Sequence, residues 1–156
     1  MIFDPATQDA PNDPKYPASM QPVSFTSNGC KLFGTFFFAS GVGLHPTILL
    51  LHGFPGNEVN FDIAHAVRRM GFNVMVFHYR GCWGSEGEYL WTNLVEDVEE
   101  AIQFLKSEMA KEKYKVDSSK IILIDGDHLL LLDTTKNNDL DSLPDITFQS
   151  KQLLTE

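Results

Sequence analysis

The sequence has little cysteine, little positive charge and no long apolar run. Only Cys30 and Cys82 occur in 156 residues. Their spacing fits neither a disulfide framework nor a metal knuckle, so they read as reduced thiols of a cytoplasmic protein. Twelve Lys and Arg stand against twenty-one Asp and Glu, a net charge of −9. That balance argues against non-specific nucleic-acid binding, which needs Lys and Arg to neutralise phosphates, and against docking on an anionic membrane. No apolar stretch approaches the ~20 residues of a membrane-spanning helix. The first residues, MIFDPATQDAPNDPKYP, lack the basic start and apolar centre of a secretory leader. Glycine is absent after Gly126, an absence that decides the chemistry below.

What is present is a globular composition. Apolar residues make up 43% and charged residues 21%, enough apolar mass to bury a core. Five of the eight prolines fall in the first 22 residues, so residues 1–22 read as an extended Pro-rich arm. Val23 to Thr26 and Lys31 to Ala39 are β-prone and flank Ser27-Asn28-Gly29, a turn signal, so they form a hairpin. Thr47 to His52, Asn73 to Tyr79 and Ile121 to Ile124 are continuous apolar runs of strand length. Strands buried on both faces read this way and point to a parallel sheet.

Between them lie two helical patterns. Val59 to Met70 places Ile63, Ala66, Val67 and Met70 on one face, with Arg68 and Arg69 in the last turn and Gly71 after it. The second starts at a cap, Thr92 or Asn93, and carries Leu94, Val98, Ala101, Ile102 and Leu105. Lys111 to Lys120 reads as a polar connection. Alternation of strand and helix predicts an α/β fold, mostly parallel, with an antiparallel hairpin at its N-terminal edge. The domain spans residues 23–132. Residues 133–156 form an acidic polar tail with a turn at Ser142-Leu143-Pro144-Asp145.

Three blocks carry a resemblance: LLLHGFPGN (Leu49 to Asn57), FHYRGCWGSEG (Phe77 to Gly87) and VDSSKIILI (Val116 to Ile124). In this order they resemble the first half of a serine-type α/β-hydrolase of the esterase and peptidase-like kind. The resemblance implies a partial α/β-hydrolase fold with strand order 1-2-4-3-5. It implies that the turn His52-Gly53-Phe54 helps form an oxyanion hole, with the Phe54 amide as donor. It implies acyl transfer from a small-molecule ester or amide to water, with no cofactor and no metal. Ser85 is not in a G-x-S-x-G frame, because position 83 is Trp. Arg80 and Asp97 read as structural, and His78 as a buried, hydrogen-bonded histidine.

The pattern breaks after Ile124. The family's next element is the G-x-S-x-G nucleophile elbow, a strained strand-to-helix turn. Here Asp125-Gly126-Asp127-His128-Leu129 follows, which puts Asp127 at the serine position and Asp125 and Leu129 at the glycine positions. With no glycine beyond Gly126, no such elbow can be built downstream. Nucleophile, acid and catalytic histidine are not identifiable, so the expectation is a hydrolase by ancestry that is truncated and inactive as given. Asp127 as nucleophile is an alternative, as in haloalkane dehalogenases. IILIDGDH also faintly resembles the D-x-D strand end of Mg²⁺-dependent phosphatases, with Asp125 and Asp127 as its acids. A further alternative is a non-catalytic binding module. It would use the remnant pocket or self-associate through strand 121–124, which the missing later strands leave as an exposed edge.

Overall fold

The structure, a computed structural model, describes residues 4–53 and 60–125 and the backbone of 128–131. Its centre is a six-stranded sheet: β1 (Ser19–Ser27), β2 (Cys30–Phe38), β3 (His45–Leu51), β4 (Asn73–Phe77), β5 (Val116–Asp125) and β6 (His128–Leu131). The order across the sheet is β1-β2-β4-β3-β5-β6. β4, β3 and β5 run parallel, while β1, β2 and β6 are antiparallel to their neighbours. The first five strands stand in the expected order.

Side-chain alternation sorts the parallel strands into two cores. Leu49, Leu51, Met75, Phe77, Ile121 and Leu123 point to one face, where they meet Val98, Ala101, Ile102 and Leu105 of α2 (Leu94–Lys106). Tyr114 of α3 (Glu108–Tyr114) joins the same core. Ile48, Leu50, Val74 and Val76 point to the other face, under Ala64 of α1 (Phe61–Arg69). Gly34 lets β2 cross close to β4: a Cβ there would stand 2.2 Å from the Val76 carbonyl oxygen.

Several expectations need correction. The arm ends earlier than residue 22, because β1 begins at Ser19 and pairs with β2 as far back as Phe38. Pro22 is accommodated because β1 is an edge strand, where a missing N–H can face away from the ladder. On α1 the face turned to the sheet is Phe61, Ala64 and Val67, while Ile63 and Met70 are exposed. The stretch Lys111 to Lys120, expected as a connection, is divided between the end of α3 (Glu108–Tyr114) and the start of β5. Ser107 caps α3 by accepting from the Ala110 N–H at 3.1 Å. β5 starts at Val116, ahead of its apolar run, with a register shift against β3 between His45 and Thr47.

The largest correction concerns strand 121–124. Its outer edge is paired rather than exposed. β6 folds back antiparallel on it, Ile122 opposite Leu131 and Asp125 opposite His128. On that side of the sheet β6 is the outermost strand among the described residues.

The arm from Asp4 onward lies against the domain. The Asp13 N–H donates to Ser40 Oγ at 2.9 Å and the Gly41 N–H to the Tyr16 carbonyl at 3.0 Å. Arg69 Nε donates to Asp9 Oδ1 at 2.9 Å. Among the described residues no helix is long and apolar enough to cross a membrane.

Candidate functional site

In a mostly parallel α/β sheet, ligands gather beyond the carboxyl ends of the strands. Here β3 ends at Leu51 and β4 at Phe77, so His52 and His78 are the first residues past the sheet. The parallel register pairs Leu50 with Val76. Two residues on, the same register sets His52 beside His78, their ring centroids 6.0 Å apart. Tyr79 meets the His52 ring edge-on at 4.7 Å.

His52 is 2% exposed. Its Nδ1–H donates to the Gly53 carbonyl at 3.1 Å, which leaves Nε2 as the lone-pair nitrogen. That nitrogen is buried with no hydrogen-bond partner among the described residues. Burial pushes the imidazole below the usual histidine range, against the opposing effects of the Gly53 carbonyl and the Asp125 charge. Burial, then the proximity of His52, does the same to His78. Both rings are therefore neutral at pH 7. His78 differs from its expectation, since it is half-buried and its Nδ1 has no hydrogen-bond partner among the described residues. The Tyr79 hydroxyl is held protonated, chiefly by burial and secondarily by Asp125.

The loop after β4 is built as scaffold. Arg80 is 5% exposed and Asp97 fully buried. Arg80 Nε lies 2.7 Å from Asp97 Oδ1, the Arg80 N–H donates to Asp97 Oδ2 at 3.0 Å, and Glu96 accepts from Arg80 Nη2. Ser27 Oγ completes the group by donating to Asp97 Oδ1 at 2.6 Å. Burial alone would lower the Arg80 pKa, but Glu96 and Asp97 outweigh it and hold the pKa above its ordinary value. Ser85 is equally committed: its hydroxyl donates to the His78 carbonyl at 2.8 Å and accepts from the Phe33 N–H at 3.0 Å. A serine with both roles filled and no histidine on its hydroxyl is not an activated nucleophile. Gly81 (φ +75°) has the Tyr89 nitrogen 2.4 Å from where a Cβ would stand, so the loop closes on glycine. Trp83 takes φ 49°, an uncommon backbone for a bulky residue, and its ring lies 5.9 Å from that of His78.

Of the sequence-stated site residues, the structure places His52 and Gly53 at the mouth of the sheet. Phe54 and Asp127 lie outside the described residues, as does the loop 54–59. Asp125 is exposed at the end of β5. Among the described residues no three His, Cys, Asp or Glu side chains converge as metal ligands. The parallel register of β3 and β4, counted forward from the two apolar runs, is what brings His78 to His52.

Solved structures similar to this chain include an α/β hydrolase and esterases. An α/β hydrolase, GrgF, from Penicillium sp. sh18 is 24% identical with a TM-score of 0.58, over 69% of this chain and 37% of its own. The sheet is part of an α/β-hydrolase fold. DcsB, solved in complex with its substrate analogue, is 26% identical at a TM-score of 0.57, over 69% of this chain and 36% of its own. A brefeldin A esterase, described as a bacterial homologue of human hormone-sensitive lipase, is 18% identical at a TM-score of 0.55, over 78% and 35%. Among curated sequences, an uncharacterised protein of Mycobacterium tuberculosis H37Rv is 27% identical over 110 residues. That match takes in 69% of this chain and 39% of the relative, so the chain spans about two fifths of the curated relative's length. No family model matches.

Proposed function

We propose that this chain descends from a serine hydrolase of small-molecule esters or amides and has no acyl-transfer activity by itself. One observation carries the reading. In the family the strand corresponding to β5 runs into the nucleophile elbow and then a helix. Here β5 turns back into the antiparallel strand β6, with Asp125 opposite His128 across a two-residue connection. That antiparallel pairing stands where an elbow would need β5 to lead into a helix. The neutral His52, its Nε2 without a hydrogen-bond partner among the described residues, and the His-Gly turn support an ancestral oxyanion side without its nucleophile. The free thiols Cys30 and Cys82 support a reducing compartment, the cytoplasm.

The experiment is hydrolysis of p-nitrophenyl acetate and butyrate by the purified chain, beside D127N and H52Q. The expected rate is that of the buffer for all three. Turnover by the wild type that D127N abolishes would overturn the reading in favour of an aspartate nucleophile.

A binding role has its own support in β6, whose outer edge has no strand beside it among the described residues. Unpaired N–H and C=O groups of such an edge accept another strand. We propose that two copies associate antiparallel through β6. Sedimentation equilibrium should show concentration-dependent dimers that L130P removes, and a monomer at all concentrations would refute the association.

A further inference from the structure

The N-terminal arm and the last turn of α1 enclose a cavity of about 360 Å³. It lies where β4 begins, at the opposite end of the strand from His78, and so apart from the mouth of the sheet. Arg68, Arg69, Asp9, Asn12 and Ser40 supply its polar lining, and Ala10, Pro11 and Met70 an apolar one.

The charges in it do not balance. The Arg68 side chain is only 16% exposed, and its Nε is buried with no hydrogen-bond partner among the described residues. The nearest carboxylate oxygen, Asp9 Oδ1, is 3.9 Å from Arg68 Nη2, a charge contact too long for a hydrogen bond. Asp9 instead accepts from Arg69 Nε at 2.9 Å, and Arg69 Nη1 donates to the Pro5 carbonyl at 3.1 Å. Two guanidinium groups thus share one carboxylate, which is itself 80% exposed. Among the residues that line the cavity the surplus is one positive charge, in a chain whose net charge is −9. Among the described residues no carboxylate lies within hydrogen-bond distance of the Arg68 guanidinium, and the natural complement of such a group is a planar carboxylate.

We propose that this cavity binds a small organic monocarboxylate, with its carboxylate on Arg68 and its apolar body against Ala10, Pro11 and Met70. The single surplus charge selects a monoanion, because Asp9 beside the site repels a second negative charge. The cavity has the size and the mixed lining of a small-ligand pocket. His65 reports on the same field. Burial first, then the charges of Arg68 and Arg69, hold its imidazole below the usual range, while Asp9 opposes them.

The test is titration of benzoate into the full chain, followed by NMR at the His65 imidazole. Saturable binding is expected, with the His65 pKa rising as a negative charge fills the site. Benzamide, the neutral isostere, should not bind. R68Q should weaken benzoate at least tenfold. R68K, which keeps the charge but loses the planar fork, should weaken it less and stay folded. Equal binding of benzamide and benzoate, wild-type affinity in both Arg68 variants, or inorganic phosphate outcompeting benzoate would each overturn the assignment. Loss of hydrolase ancestry as a reading would leave this experiment untouched, since no residue is shared with the mouth of the sheet.

Discussion

Replacing Asp97 by alanine is the most direct probe of what holds the site end of the sheet. Asp97 is fully buried, and through it α2, the end of β1 and the loop after β4 are joined. The substitution strips Arg80 of its 2.7 Å partner and leaves the Arg80 N–H and the Ser27 hydroxyl without their acceptor. Breaking a buried ion pair from one side costs ~3–5 kcal/mol. Glu96 still pairs with Arg80 and its side chain is 46% exposed, so the low end applies, about 3 kcal/mol. With a urea dependence of about 1.5 kcal/mol per molar, the midpoint should fall by about 2 M with the slope unchanged. The assay is urea unfolding followed by tryptophan fluorescence and circular dichroism, which should give coincident transitions. The double variant R80M/D97L should recover much of the loss, because it removes both charges and refills the space. A midpoint in D97A lowered by less than about 0.5 M, or a double variant weaker than D97A, would refute the assignment of that stability to the buried pair.

Other perturbations follow from single features. G34A should destabilise by ~1–3 kcal/mol or more, because its Cβ meets the Val76 carbonyl and the Phe77 backbone; thermal unfolding measures it. K115G should stabilise by ~0.5–1 kcal/mol, since Lys115 caps α3 at φ 57° with a left-handed backbone that glycine adopts without strain. Stability should fall with acid. The folded-state pKa values of His52, His65 and His78 are all depressed below 6.5. The unfolded chain therefore takes up more protons as the pH drops through 6.5, and stability present above that pH is lost until the folded-state values are reached. H52Q and H78Q should flatten the curve of urea midpoint against pH between 7 and 5, and an unchanged slope in both would contradict their burial as neutral rings.

The sheet was legible because its strands are written as unbroken apolar runs. TILLLH and NVMVFHY carry enough Val, Ile, Leu and Phe to exclude any other buried assignment of that length. α3 was not, because Lys111 and Lys113 masked a helix whose only buried residues are Ala110 and Tyr114, yet Ser107 was a readable cap. The α1 face was misassigned because nine residues give too few turns for spacing alone to choose between two apolar stripes. The Asp97 hub could not be read at all. Its partners stand 17 and 70 residues away in the chain, and no local pattern records which acid is buried.

The pairing of β3 with β5 joins residues 45–51 to residues 116–125. Some seventy residues must therefore leave the ribosome before the middle of the sheet can close. Until then Leu49 and Leu50, fully buried in the finished protein, have a neighbour on only one side. Long-range parallel pairing of this kind folds slowly and exposes its intermediates. For this protein the hazardous moment is during synthesis. The length of that exposure is set by the span between two strands rather than by the stability of the product.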